Sequence, residues 1–156
     1  MIRIAICDDE KKILDEVSGY IKNYAEKKRK EKQSKEIEVF RFDSAASLIC
    51  TLEDGRSFDV FVLDIYIGDE MGTALAGDIR KFGIESPIIF ATTSVEHAPE
   101  SYETGTLRYL IKPINLAKFY EAMDAALASV EKISRCLIKM KTENGIFSAT
   151  ISLNLM

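Results

Sequence analysis

The sequence predicts an α/β fold in which helices cover both faces of a doubly wound, five-stranded parallel sheet with strand order 2-1-3-4-5. Two observations predict this fold. Five short apolar runs alternate with segments that have helical spacing or helix-capping residues, and short connections join them, which is the pattern of repeated βα units. Polar residues also stand directly behind four of the five runs, as expected where parallel strands end at the ligand-binding edge of such a sheet.

The first unit is a short β-branched run followed by a helix. Residues 2–7 (IRIAIC) end at Asp8 and Asp9, and apolar residues then recur at helical spacing, at Ile13, Leu14, Val17, Ile21, Tyr24 and Ala25. Residues 26–35 (EKKRKEKQSK) are polar all round, and cations near a helix C-terminus suit the helix dipole. This segment is interpreted as a solvated helix end, with a basic contact surface as the alternative.

The second and third units follow the same plan. Residues 37–42 form the second strand, and Asp43 or Ser44 can cap the short helix that comes next. Residues 58–63 are nearly all apolar, which is typical of a strand covered on both faces. The third helix ends at Gly83, and its apolar residues are Leu75, Ala76, Ile79 and Phe82.

The last two units complete the predicted sheet. The fourth strand covers residues 88–91, and Ser94 can cap a fourth helix that ends near Gly105. The fifth strand covers residues 107–111. A fifth helix follows and carries one apolar stripe, formed by Leu116, Phe119, Tyr120, Met123, Leu127 and Val130.

A different pattern begins after about Arg135. Asn144-Gly145 separates two alternating segments, which indicates a C-terminal β-hairpin extension. Because an isolated hairpin is only marginally stable, it is interpreted as the start of a second, β-rich domain whose remainder is absent. The predicted organisation is one domain over residues 1–130, followed by a linker and the first strands of an incomplete domain over residues 131–156.

The composition is that of an ordinary globular protein. The 156 residues are 47% hydrophobic, and the net charge of -4 gives no general attraction to nucleic acid or anionic membranes. No apolar run approaches the roughly 20 residues of a membrane span, and the N-terminus does not resemble a signal peptide, so a cytoplasmic location is expected. Three widely spaced cysteines and the lone His97 do not form a zinc motif.

Three carboxylates at the strand ends indicate a cation site. Asp8 and Asp9 follow the first strand and Asp64 follows the third, and these two strands are neighbours in the predicted order. Carboxylates this close repel each other unless a positive charge lies among them. Mg²⁺ prefers hard oxygen ligands, commonly one or two carboxylates with waters and phosphate oxygens, so this edge is interpreted as a magnesium and phosphoryl site.

Lys112 and Thr92 add phosphate-binding groups to the same edge. Lys112 follows the fifth strand and can hold a phosphate oxygen, while the Thr92 hydroxyl, behind the fourth strand, can donate to another. A carboxylate can itself be the nucleophile and form an aspartyl phosphate, and Asp64 is the candidate because its strand is central. Each residue alone could be a helix cap, a turn residue or a solvated charge, but their joint occurrence at four strand ends favours a site.

Four segments make the chain similar to the receiver domain of two-component response regulators, which has a flavodoxin-like fold. The resemblance covers roughly residues 1–125, with matching order, spacing and strand context, and rests on CDDE at 7–10, LDIYIGDEMG at 63–72, IIFATTS at 88–94 and YLIKPI at 109–114. It implies a phosphoacceptor switch and no enzyme, with at most self-catalysed phosphorylation and dephosphorylation.

The resemblance implies a phosphorylation site and a metal site. Asp64 would accept a phosphoryl group from a sensor histidine kinase. Asp9, Asp64 and the Tyr66 carbonyl would bind Mg²⁺, and Asp8 would help through water. Many receivers have proline four residues after the phosphorylated aspartate, where this chain has Gly68, so a looser loop is expected.

The resemblance also implies a set of switch residues. Thr92 would be the switch hydroxyl, Tyr109 the switch aromatic, and Lys112 the amine that holds the phosphate. The peptide before Pro113 is usually cis in the family. Alanine commonly follows the switch hydroxyl, but this chain has Thr93, which could slow attack of water on the phosphate and is the alternative switch hydroxyl.

The finer resemblance is to regulators that carry a LytTR-type DNA-binding domain, including those of accessory-gene quorum systems. It rests on the segment around IIFATTS and YLIKPI and on the predicted hairpin. In such proteins promoter DNA is bound only through the C-terminal domain, most of which is missing here. Phosphorylation would remodel the face of the fourth helix, fifth strand and fifth helix, and would cause homodimerisation.

Two alternatives are kept open. A Mg²⁺-dependent phosphohydrolase that forms an aspartyl phosphate needs a second aspartate two residues after the nucleophile, where this chain has Tyr66. A receiver-like module used only for protein contacts would not respond to Mg²⁺ with a phosphate mimic.

Overall fold

The computed structural model describes residues 1–32, 36–93 and 105–144, and within them seven strands and four helices. Side chains are described as far as Met140. In chain order the elements are β1 (Ile2–Cys7), α1 (Lys11–Lys30), β2 (Ile37–Phe42), α2 (Ala45–Glu53), β3 (Val60–Leu63), β4 (Tyr66–Ile67), β5 (Glu70–Met71), α3 (Gly72–Lys81), β6 (Ile88–Thr92), β7 (Thr106–Ile111) and α4 (Leu116–Asn144).

The five longer strands form one sheet in the order β2-β1-β3-β6-β7, and every neighbouring pair is parallel. This confirms the predicted fold class and the predicted order 2-1-3-4-5. The two short strands, β4 and β5, form a separate antiparallel hairpin that the sequence did not predict. The predicted fourth helix, with Ser94 at its start, lies outside the residues that the structure describes.

The side chains of β3 alternate between two helical layers. Val60 and Val62 belong to the core formed with α1 and α4, while Phe61 and Leu63 belong to the core formed with α2 and α3. All four are buried, which explains why this strand is a continuous apolar run in the sequence. The next residue, Asp64, is therefore held at the end of a strand that is covered on both faces.

The helices bury the faces that their apolar spacing predicts. In α1 the buried residues are three or four positions apart, and α4 buries Phe119 and Met123 of its apolar stripe, whereas Leu116 at its start is 41% exposed. Ser44, and not Asp43, caps α2, because the backbone N–H of Ser47 donates to the Ser44 hydroxyl at 3.1 Å. Among the helices described, none is both long and apolar enough to cross a membrane.

The C-terminal part of the chain differs from the prediction. Residues 136–144, expected to form the first strand of a hairpin, are the end of α4, which is helical from Leu116 to Asn144. No glycine or proline interrupts this stretch before Gly145, and its leucine, lysine and methionine residues favour helix, so an established helix propagates through it. The expected second strand lies beyond the described residues.

A buried tyrosine connects α1 to α4. The Tyr24 hydroxyl donates to Asp124 Oδ1 at 2.6 Å, and Lys28 Nζ lies 3.0 Å from the same oxygen. We expect Tyr24→Phe to lower the free energy of unfolding by about 1 kcal/mol, since it removes one hydrogen bond and keeps the ring in its site. Urea unfolding measures this change. Tyr120→Phe is the matched control, because it retains the ring contact with Tyr24 at 5.4 Å and leaves both partners of Asp124 in place.

The cost of Tyr24→Phe should depend on pH. Burial alone would raise the pKa of Asp124, but the hydrogen bonds from Tyr24 and Lys28 outweigh it and lower that pKa. A carboxyl whose pKa is lowered by folding stabilises the fold above its ordinary pKa of 3.8, and this contribution is lost as the pH falls through the lowered value. The difference between wild type and variant should therefore be complete at pH 7 and shrink in acid; a difference that grew in acid would contradict this account.

Candidate functional site

The carboxyl ends of β1, β3, β6 and β7 meet at one edge of the sheet. Backbone hydrogen bonds align these ends: the Asp64 N–H donates to the Cys7 carbonyl at 3.1 Å, and the Lys112 N–H donates to the Thr92 carbonyl at 2.7 Å. The residue that follows each strand is thus held beside its neighbour. Asp8, Asp64 and Lys112, which are far apart in the sequence, come together at this edge.

Lys112 bridges the two buried aspartates. Its Nζ lies 2.7 Å from Asp8 Oδ2 and 3.2 Å from Asp64 Oδ2, and it donates a hydrogen bond to each. The side chains of Lys112, Asp8 and Asp64 are 8%, 6% and 9% exposed. Burial keeps bulk water from screening these charges, so their interaction is stronger than that of a surface ion pair.

The cluster of Asp8, Asp64 and Lys112 has more negative than positive charge. Burial alone would lower the pKa of Lys112, but the hydrogen bond to Asp8 and the charges of Asp64 and Asp8 outweigh it and raise that pKa. The pKa of Asp8 is also raised, because burial outweighs its hydrogen bonds from Lys112 and from the Glu10 N–H. Two carboxylates share one ammonium, and a further cation would relieve the remaining repulsion.

Oxygen donors suitable for a metal ion extend from this cluster toward solvent. Carboxylate oxygens of Asp8, Asp9 and Glu10 lie within 4.8 Å of one another, with Asp8 buried and the other two exposed. Such hard oxygen donors fit Mg²⁺. Glu10 had no role in the sequence interpretation, although it is the last residue of the CDDE segment and so was visible there. The structure brings Asp64 to this group through Asp8 and Lys112.

The backbone after Asp64 turns back in a tight hairpin. The pairing of β4 with β5 leaves Gly68 and Asp69 as a two-residue turn, and Gly68 has a φ of 62°. A positive φ at the first turn position favours glycine in such a hairpin. Where the sequence suggested a looser loop, the described backbone is a closed hairpin. The Tyr66 N–H at its start lies 3.4 Å from Asp64 Oδ1.

The predicted switch residues lie on β6 and β7. Thr92 is fully buried as the last residue of β6, whereas Thr93 is exposed. The Tyr109 ring packs against Phe90 with a centroid distance of 6.3 Å. Burial, and then the nearby Tyr66 and Asp64, raise the pKa of Tyr109. Tyr109 therefore lies on the acidic edge of the sheet.

The peptide between Lys112 and Pro113 is cis, as the resemblance implies. A groove lies elsewhere, at the amino ends of the strands, between the base of the sheet and the end of α4. That groove contains none of the strand-end acids, which lie at the opposite edge of the sheet.

Gly72, the first residue of α3, packs directly against the backbone of Asp64. A Cβ at this position would overlap the Asp64 carbonyl oxygen and would lie 2.9 Å from the carbonyl carbon. We expect Gly72→Ala to lower the free energy of unfolding by about 1–3 kcal/mol, since the atoms it meets are backbone atoms that cannot move cheaply. The sequence interpretation gave this residue no role, although it ends the LDIYIGDEMG segment, because its approach to the backbone of Asp64 leaves no local periodicity.

Gly77→Ala is the matched control for this prediction. It lies in the same helix and a Cβ there meets nothing within 4 Å, so it should stabilise the protein by about 0.5–1 kcal/mol through helix propensity. Thermal or urea unfolding of both variants measures the difference. Equal effects of the two substitutions would contradict the close approach to Asp64.

The fold and this edge together define a doubly wound α/β domain whose strand ends carry an acidic cluster bridged by a lysine. The chain belongs to the response regulator receiver domain family, whose sequence model matches residues 4–124. The resemblance predicted from the sequence is therefore confirmed.

Individual relatives agree with this assignment. The transcriptional regulatory protein CitT of Bacillus subtilis (strain 168) is 34% identical over an alignment of 114 residues, and the match covers 68% of this chain and 50% of CitT. The sensory transduction protein LytT of the same organism is 25% identical over 139 residues, 89% of this chain and 52% of LytT. The chain thus spans about half the length of the curated relatives it matches.

Solved structures show the same fold. The response regulatory domain of mrkE from Klebsiella pneumoniae has a TM-score of 0.72 and 25% identity, with 84% of this chain and 99% of that chain covered. A CheY-like response regulator receiver domain protein from Methanospirillum hungatei JF-1 has a TM-score of 0.69 and 27% identity, with 85% and 98% covered. The described sheet and helices thus have close counterparts among receiver domains.

Proposed function

We propose that the chain is the phosphoacceptor switch of a two-component response regulator and that Asp64 accepts a phosphoryl group from a sensor histidine kinase. The observation that carries this proposal is the contact of one buried lysine, Lys112, with both Asp64 and Asp8. An Asp64 oxygen would attack phosphorus as the bond to the donor breaks, and the donor would leave with the electron pair of that bond.

Lys112 would assist this transfer by binding an oxygen of the phosphoryl group with its positive charge. It contacts Asp64 already and lies in a site of low exposure, so a short inward movement would let it hold an oxygen of the new aspartyl phosphate. The Thr92 hydroxyl would donate to a second oxygen. We keep Thr92 ahead of Thr93 because Thr92 is buried at the strand end.

Mg²⁺ fits the carboxylate donors described above, and we propose Asp8, Asp9, Asp64 and the Tyr66 carbonyl as its ligands, with Asp8 acting through water. Bound Mg²⁺ would neutralise charge that develops on the phosphoryl oxygens. The chain's own contribution is the position of the acids, which β1 and β3 hold side by side through parallel pairing. Glu10 would lie at the solvent side of this group.

Phosphorylation would be read out through β6 and β7. An aspartyl phosphate carries nearly twice the charge of the carboxylate and more acceptor oxygens, so it would draw Thr92 and Lys112 inward. Movement of Thr92 would open space for Tyr109, whose ring already packs against Phe90. This would shift the chain toward a homodimer through the face that includes β7 and α4.

We propose residues 1–130 as the receiver and residues 131–156 as the connection to an output domain, now with a helical segment in place of the first expected strand. The relatives named LytT support a LytTR-type output domain that would bind promoter DNA. The chain would act in the cytoplasm, where a kinase can reach it, and would act as a switch rather than an enzyme.

Phosphoryl transfer from acetyl phosphate tests this proposal. The chain, incubated with acetyl phosphate and Mg²⁺, should gain the mass of one phosphoryl group on the peptide that contains Asp64. Beryllofluoride with Mg²⁺ should change the amide spectrum of β6 and β7. A chain that takes no label and shows no response to beryllofluoride would contradict the proposal.

A further inference from the structure

Arg80, on α3, connects the starting points of two neighbouring strands at the edge of the sheet opposite the acidic site. Its Nη1 donates to the Ile84 carbonyl at 3.0 Å and to the Ser86 carbonyl at 2.7 Å, and its Nη2 donates to the Gly105 carbonyl at 3.3 Å. Ser86 lies just before β6, and Gly105 lies directly before β7. One planar guanidinium thus hydrogen-bonds to the backbone just before both strands.

The entry of β6 is fixed independently of Arg80. The Ser86 hydroxyl donates to the Phe58 carbonyl at 2.7 Å, and the Phe61 N–H donates to the Pro87 carbonyl at 3.0 Å, so this end of β6 is joined to the segment around β3. Because Arg80 donates to carbonyls before both strands, it fixes the start of β7 relative to the start of β6. An arginine suits this task because its donors form a rigid fork, whereas a lysine is a single point charge.

The pairing that Arg80 spans is irregular. Ile88 pairs with Thr106, but the next residue, Ile89, pairs with Arg108, so Leu107 is an extra residue on β7. Moreover, among the strands that the structure describes, β7 lies at the edge of the sheet and pairs with β6 alone. An edge strand with an irregular start has few contacts that define its register, and a slip of one residue would turn every side chain to the other face.

This register determines where the switch residues lie. It places Phe90 opposite Tyr109 and Thr92 opposite Ile111, and it allows the Lys112 N–H to donate to the Thr92 carbonyl at 2.7 Å. A one-residue slip would move Lys112 away from the aspartates by about 3.3 Å along the strand. The contacts of Lys112 at 2.7 and 3.2 Å would not survive such a shift.

We infer that Arg80 is a positioning residue, which sets the register of β6 and β7 from their starting ends and thereby brings Lys112 and Tyr109 to the phosphoryl site. The inference rests on the proposed function for its activity readout, and on the strand pairing for its structural one. Arg80 touches neither the phosphoryl donor nor the aspartates, so it acts only through the alignment of these two strands.

The test compares Arg80→Met with Arg108→Met. Arg108 is exposed, lies on β7 beside the irregular pairing, and donates only to the carbonyl of its own neighbour, Leu107, at 2.9 Å among the hydrogen bonds described for it. Arg80→Met should slow labelling by acetyl phosphate about tenfold or more, as expected for displaced catalytic groups. It should not weaken Mg²⁺ binding, because Asp8, Asp9 and Asp64 follow β1 and β3 and displacement of Lys112 removes a competitor for their oxygens.

Cross-strand nuclear Overhauser effects give the structural readout. In wild type and in Arg108→Met they should connect Thr92 with Ile111, and in Arg80→Met they should weaken or move by one residue. An Arg80→Met protein that keeps both this register and the wild-type labelling rate would overturn the inference. So would a parallel loss of Mg²⁺ affinity in a folded Arg80→Met protein, because the proposed metal-binding acids follow β1 and β3 and should not depend on the alignment of β6 with β7.

The controls separate this inference from the proposed function. A wild-type chain that takes no label contradicts the proposed function, while a labelled wild type with an equally fast Arg80→Met contradicts only the inference. If Arg80→Met does not fold, Arg80→Lys takes its place. Lysine keeps the charge but cannot span Ser86 and Gly105 with one fork, so a full labelling rate in Arg80→Lys would also overturn it.

Discussion

Asp64→Asn should take up no phosphoryl label from acetyl phosphate with Mg²⁺, whereas the wild-type chain should be labelled. The amide is close in size to the carboxylate, but it has no anionic oxygen that can attack phosphorus. Intact mass spectrometry measures the gain of one phosphoryl group, and peptide mapping locates it. Undiminished labelling of Asp64→Asn would rule out Asp64 as the acceptor.

Loss of label in Asp64→Asn should not result from unfolding. Asp64 and Asp8 share Lys112, so removing the charge of Asp64 leaves Lys112 paired with Asp8 and relieves the repulsion between the two acids. Unfolding in urea should therefore show equal or greater stability for the variant. Asp69→Asn is the matched control: this exposed acid lies five residues further on, in the turn between β4 and β5, and its replacement should leave labelling unchanged.

The sequence predicts the sheet well because the polarity of the residues in each strand reflects which of its faces are covered. β3 is apolar at every position since both of its faces are covered, and Asp64 marks the point where that cover ends. Parallel strands bring their carboxyl ends to one edge, so the proximity of Asp8, Asp64 and Lys112 follows from strand order alone. The contacts of Lys112 with both acids in the structure agree with that argument.

The details that the sequence does not predict depend on the path of the backbone between elements. The hairpin of β4 and β5 has only two residues in each strand, too few to show a period of two, and it depends on the positive φ of Gly68. The approach of Gly72, at the start of α3, to the Asp64 carbonyl likewise leaves no periodic pattern in the sequence. Neither feature could be read without the three-dimensional arrangement.

The end of α4 shows two local signals in competition. Residues 136–144 alternate in part between apolar and polar types, which suggested a strand, but they contain good helix formers and follow a helix that is already established. Continuing a helix costs less free energy than starting a new element, so these residues extend α4. Ile138 and Met140 are exposed as a result, at 62% and 45%.

Lys112→Met should separate metal binding from switching. Without Lys112 the two buried aspartates lose their shared cation, and breaking a buried ion pair by removing one partner costs roughly 3–5 kcal/mol. We therefore expect a large fall in the free energy of unfolding when Mg²⁺ is absent. Because the ammonium no longer competes for the carboxylate oxygens, Mg²⁺ should bind more tightly than to wild type and should recover much of the lost stability.

The same variant should label slowly and fail to switch. The charge that would hold the phosphoryl oxygen is missing, so the response of β6 and β7 to beryllofluoride should be largely lost, although Mg²⁺ is bound. Lys118→Met is the matched control, since Lys118 is exposed at the start of α4. It should behave like wild type in unfolding, Mg²⁺ titration and beryllofluoride response.

These measurements distinguish two roles of Lys112, as a counterion of the aspartates and as a ligand of the phosphate, because each measurement depends on a different contact. Stability without metal reports its contact with Asp8 at 2.7 Å and with Asp64 at 3.2 Å, whereas the beryllofluoride response reports its contact with the phosphate mimic. If Lys112 were only a structural counterion, bound Mg²⁺ would replace it and the response would return in full. A Lys112→Met protein that regains both stability and switching in Mg²⁺ would therefore contradict the proposed role in holding the phosphate.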